Sequence, residues 1–175
     1  MSKIGDYILK LRNRFQKQDT VIRKAISYQE AKSVGILFNM SENSHHHDLN
    51  NFVADLKKDS KVVTTLAYFE RDGSNPYDFV FNFFRNKDIT NLGKIKSEAV
   101  TQFIAQPFDY LFCINLKPFP PFDHILLNSQ ARCRIGRFQE GQENEFELMI
   151  ALQENENESK LMLEMLRYAR NMRTS

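Results

Sequence analysis

A chain of 175 residues, 42% hydrophobic and 26% charged, has the size and composition of one domain with a substantial core. Its formal net charge of +2 is too small to argue for a nucleic-acid partner, and no stretch approaches the roughly 18 apolar residues of a membrane span. The N-terminus has no apolar segment behind its charges, so no secretory signal is expected; Cys113, in an apolar run, and Cys133, in an expected strand, read as buried free thiols of a cytoplasmic protein.

Ile4, Ile8, Leu11 and Phe15 recur at helical spacing among Lys10, Arg12, Arg14 and Lys17, which predicts an amphipathic helix. Asp19-Thr20 offers a cap for a second helix over roughly Val21–Lys32. Residues 1–32 hold eight basic and three acidic side chains. They are expected to form a helical arm packed on a more acidic body, with membrane-surface docking through residues 1–18 as the disfavoured alternative.

Residues 33–175 read as a single α/β domain. Ser33–Met40 is an apolar run suited to a strand buried on both faces. Asp48 caps a helix to Asp59 with the stripe Leu49, Phe52, Val53 and Leu56. Lys61–Phe69 is a second strand, rich in Val, Thr and aromatics. After the turn cluster Arg71–Pro76, Asp78–Phe84 is a third strand. That connection reads as too short for a crossover, so strand three is expected to be antiparallel at a sheet edge.

A helix over Asn91–Gln106 precedes a fourth strand, Tyr110–Leu116. A proline-started helix, Pro121–Gln130, and a fifth strand, Arg132–Phe138, follow. Glu145–Leu152 is a sixth strand, again expected to be antiparallel, and Ser159–Arg173 closes the chain as a helix with the apolar stripe Leu161, Met165, Tyr168, Ala169 and Met172. Right-handed crossovers give a three-layer Rossmann-like domain, a mostly parallel sheet of about six strands in the order 3-2-1-4-5-6.

In such sheets ligands bind beyond the carboxyl ends of the strands, where the order reverses. Here that point lies between strands one and four. It nominates Ser41, Asn43 and His45 on one side and Asn115, Lys117 and Arg137 on the other. His45, His46 and His47 beside Asp48 invite a metal reading, but consecutive side chains diverge, so no metal site is assigned. There is no glycine between Met40 and Asp48, and a dinucleotide needs a close backbone approach there, so no cofactor is expected. A phosphate could meet the helix that starts at Asp48, with Lys117, Arg134 and Arg137 as positive groups. Ser129, Cys113 and His124 form no recognisable nucleophile pattern, and no catalytic residue is nominated.

Two passages resemble known sequences. Ala31-Lys-Ser-Val-Gly-Ile-Leu-Phe38 and the stretch from Pro107-Phe-Asp-Tyr-Leu to Leu127-Asn-Ser-Gln-Ala-Arg-Cys-Arg-Ile-Gly136 resemble an uncharacterised family of small Rossmann-like proteins from Bacteroidetes-type bacteria. The resemblance extends to Asp88-Ile-Thr-Asn-Leu-Gly93 and nearly the whole chain; it implies the fold and no activity. Ser129-x-Ala131-x-x-x-Ile135-Gly136 is also similar, locally, to the acceptor-side half of heptosyltransferase-type glycosyltransferases.

The function expected from these readings is a non-catalytic cytoplasmic α/β module that binds a protein partner or a small anionic ligand. The alternative is an enzyme acting on a phosphorylated or sugar-nucleotide substrate in the crevice between strands one and four. Strand three, with Phe79, Phe81 and Phe83 on one face and Val80 and Phe84 on the other, offers an edge for a homodimer.

Overall fold

The computed structural model describes residues 8–11, 13, 23–24, 26–40, 46–70 and 81–173. Six strands, β1 (Ser33–Met40), β2 (Val62–Phe69), β3 (Asn82–Arg85), β4 (Tyr110–Ile114), β5 (Cys133–Arg137) and β6 (Leu148–Ile150), form one sheet. Its order is β3-β2-β1-β4-β5-β6, as the crossover rule predicts. Among the described residues, α1 (His46–Lys58), α2 (Glu98–Ala105), α3 (Pro120–Asn128) and α4 (Glu158–Asn171) cover it, and residues 8–11 and 13 are also helical.

The layers follow from the alternation of side chains along the central strands. Val34, Ile36 and Phe38 of β1, with Tyr110, Phe112 and Ile114 of β4, pack on Phe52 and Leu56 of α1 and Leu161 and Met165 of α4. Leu37, Leu111 and Cys113 face the other way, onto Val100 and Phe103 of α2 and Phe122, Ile125 and Leu126 of α3. β1 and β4 are therefore buried on both faces, which explains their unbroken apolar runs.

Both sheet edges depart from expectation. Every pairing among the described strands is parallel, including β2 with β3 and β5 with β6. β3 begins at Asn82 rather than Asp78, so residues 70–81 separate it from β2, a length that permits a crossover. Between β5 and β6 the crossover is made by residues 138–147 without a helix. Phe146 from this segment is buried in the α2/α3 layer and lies over Gly136 so closely that a Cβ there would fall 2.3 Å from its ring. The glycine leaves room for a side chain to cover the sheet where a helix would otherwise sit.

The helix expected over Val21–Lys32 is not seen at residues 23–24 and 26–32. Tertiary bonds hold this chain in a non-helical path. Tyr28 N–H donates to Met172 O at 3.4 Å, the Tyr110 hydroxyl donates to Ile26 O at 2.5 Å, and buried Lys61 donates to Tyr28 O and Ala31 O at 2.6 and 2.7 Å. These bonds give the Ile26, Tyr28 and Ala31 carbonyls partners outside any helix ladder.

Two polar staples fix the framework. Asp109 Oδ2 accepts from the Lys32 and Ser33 N–H groups at 2.8 and 3.0 Å and from the Ser33 hydroxyl at 3.1 Å, locking the start of β4 to that of β1. Arg134, 2% exposed, grips Glu147 through Nε and Nη2 at 3.1 and 2.7 Å, and also donates to Leu126 O and Asn144 O. Arg23 donates to Ala131 O and Ser129 O at 2.5 and 3.1 Å and lies 3.8 Å from Glu147. The Ser129–Gly136 passage thus serves packing and chain attachment.

α1 ends in a Schellman turn: Ser60 N–H donates to Lys57 O at 2.9 Å and Lys61 N–H to Leu56 O at 3.0 Å. Ser60 has φ +60°, a left-handed conformation that disfavours a Cβ. Ser60→Gly is expected to raise stability by about 1 kcal/mol, read by chemical denaturation; a loss of stability would show that the turn is not strained.

Candidate functional site

An open cleft of about 490 Å³ lies at the carboxyl edge of the sheet. Asn39 of β1, Tyr68 of β2, Glu70, Asn86 just beyond β3, the loop Pro118–Pro120 after β4, and Lys10 line it. The Tyr68 hydroxyl donates to Asn86 Oδ1 at 2.6 Å, and Asn86 Nδ2 donates to Glu70 O at 3.1 Å. These bonds pre-set the wall on the β2/β3 side. Tyr68 and Phe119 pack ring on ring with centroids 4.6 Å apart and form the aromatic floor. Asn13, in the same helical segment as Lys10, donates through Nδ2 to Pro120 O at 3.1 Å, which brings the basic segment to the rim.

The start of α3 sets the chemistry of the rim. Helix N-termini at this point of a doubly wound sheet normally present free amides to anions. Here Pro120 and Pro121 occupy the first helical positions and carry no N–H, while Phe122 and Asp123 N–H both donate to Phe119 O, at 2.8 and 3.2 Å. At the α1 start, Asp48 places a carboxylate that accepts from Ser159 and lies 3.6 Å from His47 Nδ1. Neither helix end is arranged as a phosphate cradle.

Behind Phe119 is a second, smaller and partly open cavity of about 10 Å³, room for roughly one water molecule. Pro118 and Phe119 line both spaces. Asp123 Oδ1 accepts from Gln142 Nε2 at 2.8 Å. Burial, and after it the neighbouring Glu145, push the Asp123 carboxyl up to about 7; burial also raises Glu145 and the Cys113 thiol above their ordinary values.

Ser41, Asn43 and His45, nominated from the loop after strand one, lie outside the described residues. Asn115, Lys117 and Arg137 do come together, around the small cavity rather than the cleft. Asn115 Nδ2 donates to Lys117 O and Arg137 Nη1 to Leu116 O, so both hold the turn that carries Phe119. Lys10, Tyr68, Glu70, Asn86 and Asp123 were not nominated. Asn86 was hidden by the strand-direction error: only a parallel β3 delivers its carboxyl end to this edge. Among the described residues no three His, Cys, Asp or Glu side chains group as a metal site, and no helix is long and apolar enough to cross a membrane.

The fold and the cleft define a doubly wound, Rossmann-like α/β domain with an open pocket next to its strand switch point. The chain belongs to the family of unknown function DUF6913, whose model matches residues 6–170. No curated protein and no solved structure matches it.

Proposed function

We propose that this protein is a non-catalytic cytoplasmic module that binds a small polar ligand in the cleft. The observation that carries the reading is the convergence of Lys10, Glu70, Asn39 and Asn86 around the Tyr68–Phe119 floor. One cation and one carboxylate suit a ligand with a single anionic group, such as a carboxylate, and uncharged polar groups elsewhere. The proline-started helix argues against phosphate. The free, buried Cys113 and Cys133 accord with a reducing compartment, and Lys10 completes the cleft.

The test is a thermal-shift and calorimetric screen comparing sugar acids and amino acids with nucleotides and sugar phosphates. A ligand at 100 times its Kd is expected to stabilise the protein by about 2.7 kcal/mol. Lys10→Glu and Phe119→Ala are expected to weaken binding at least tenfold, or about 1.4 kcal/mol, while Lys117→Ala leaves it unchanged. Preferential binding of sugar phosphates, or insensitivity to both cleft variants, would overturn the reading.

The second reading is an enzyme acting on a sugar-type substrate in the same crevice. It is supported by Asp123, a carboxyl raised toward neutrality immediately behind the cleft wall. The heptosyltransferase-like residues add little to it, because Ser129 and Ala131 offer their carbonyls to Arg23. Conversion of any bound sugar by the full chain, abolished in Asp123→Asn, would establish this reading in place of the first.

A further inference from the structure

We propose that the ligand of the cleft is an acidic sugar: a pyranose ring with one carboxylate, laid on the Pro118–Phe119 wall, its carboxylate on Lys10 and its hydroxyls on Glu70. The inference rests on the cleft being the ligand site and narrows that reading to one chemical class.

The wall is rigid. Asn115 Nδ2 donates to Lys117 O and Arg137 Nη1 to Leu116 O, so the turn before it is held by two side chains. Asn13 Nδ2 holds Pro120 O at 3.1 Å beyond it. Phe119 is half-buried, backed by Tyr68 and Phe122 with ring centroids at 4.6 and 5.0 Å, and Pro118 beside it is exposed. The result is a fixed apolar strip along one side of an open space of about 490 Å³, a size ordinary for small-molecule sites. A pyranose matches such a strip. One face of its ring is a set of C–H groups with positive edges, suited to an aromatic surface. The ring is already rigid, so laying it on a fixed wall costs little conformational freedom.

The charged groups divide across the cleft. Lys10 lies three residues before Asn13 in the same helical segment, a spacing that puts both on one face. It therefore stands at the Pro120 end, after β4. Glu70 follows β2, beyond β1 from β4 in the sheet order. Asn86 Nδ2 holds its carbonyl, and the Tyr68 hydroxyl holds Asn86 in turn. Among the described residues no ion pair engages Lys10 or Glu70. An ammonium only donates and a carboxylate only accepts. Lys10 thus takes the anion of the ligand, and the two oxygens of Glu70 take a pair of neighbouring hydroxyls in charge-assisted bonds. In a hexuronic acid the carboxylate and the hydroxyl pair farthest from it lie at opposite ends of the ring, as Lys10 and Glu70 lie across the cleft. An α-amino acid carries both of its charges on one carbon and cannot reach both ends. Asn39 and Asn86 add amides, which donate and accept as hydroxyls do.

The experiment is ligand-observed NMR and calorimetry on the full chain. The probes are glucuronate and galacturonate, set against glucose and galactose, cyclohexanecarboxylate, and glutamate. A single sugar in an open cleft is expected to bind near about 1 mM. The uronates are expected to bind about tenfold tighter than the neutral sugars, and about tenfold tighter than cyclohexanecarboxylate, which keeps ring and charge but lacks hydroxyls. Lys10→Met is expected to erase the first preference and Glu70→Ala the second. Both side chains are exposed, so both variants should melt as the wild type does. Digalacturonate separates two sources of the same chemistry: tighter binding than galacturonate assigns the site to the acidic end of a chain, equal binding to the free sugar. If either preference is missing, or survives its variant, the proposal is overturned. Binding of glutamate or cyclohexanecarboxylate through Lys10, with the uronates excluded, would keep the cleft as the ligand site and overturn the sugar; a preference for sugar phosphates would overturn both.

Discussion

Replacing Arg134 by alanine is expected to lower the unfolding free energy by about 3–5 kcal/mol, the range for removing one partner of a buried ion pair. The guanidinium is 2% exposed, and its loss removes two side-chain bonds to Glu147 and one each to the carbonyls of Leu126 and Asn144, leaving Glu147 the Arg134 N–H and the more distant Arg23. It also removes one tie between α3 and the β5–β6 crossover, because both elements bond to the same side chain, while the Gln142–Asp123 bond and the packing of Phe146 remain. For a chain of this size the melting temperature is expected to fall by about 10 °C, at about 2–4 °C per kcal/mol. A double change, Arg134→Met with Glu147→Leu, removes both charges and is expected to cost less than the single change. Equal or greater loss in the double variant would show that packing, not an orphaned charge, dominates at this site.

The second large effect is on the dependence of stability on pH. Asp123 has its folded value raised to about 7 from 3.8. Between those limits the native protein holds a proton that the unfolded chain has released. Its contribution is therefore fully present below about pH 4, declines as pH rises, and is gone above about pH 7. At 1.36 kcal/mol per unit the whole window spans on the order of 4 kcal/mol. Raised Glu145 adds to the decline in the same direction. Denaturation curves measured across this window should show wild-type stability falling with rising pH, and Asp123→Asn should flatten most of the slope. Parallel curves for the two proteins would mean that Asp123 is solvated and ordinary. Asp109 works in the opposite sense. Burial raises it, but the Ser33 and Lys32 N–H groups, the Ser33 hydroxyl and Arg132 outweigh that and hold it below the usual carboxylate range, so its contribution is lost on acidification.

The centre of the fold was legible because its physics is local. Ser33–Met40 and Tyr110–Ile114 must be buried on both faces, and an unbroken apolar run says so in sequence. The crossover rule then fixed the strand order. The edges were not legible, because strand direction depends on the path of the connection. Nothing in residues 138–147 announces that Phe146 will cover the sheet in place of a helix; Gly136, whose missing side chain makes the room, was the one available signal. The path of residues 26–32 was likewise decided at a distance, by Tyr110 and Lys61. The site fell between these cases. The switch point indicated the edge at which the cleft lies, and Lys117, nominated there, immediately precedes the loop Pro118–Pro120 that lines it. Asn86 was missed because it reaches that edge only through a parallel β3, whereas Tyr68 and Glu70 lie at the end of β2, whose direction was expected, and carried no motif that singled them out.

The all-parallel sheet has a kinetic consequence. The bonds that join Ser33 to Asp109 close a loop of 76 residues, and no described strand pair forms a hairpin that a short segment can complete alone. The middle of the molecule cannot nucleate before distant parts of the chain have met, at an entropic cost that grows with the length closed. Refolding should be slow for a chain of this size, with the β1–β4 meeting as the gate. Until it passes, the most apolar ribbons of the protein stay open to other chains.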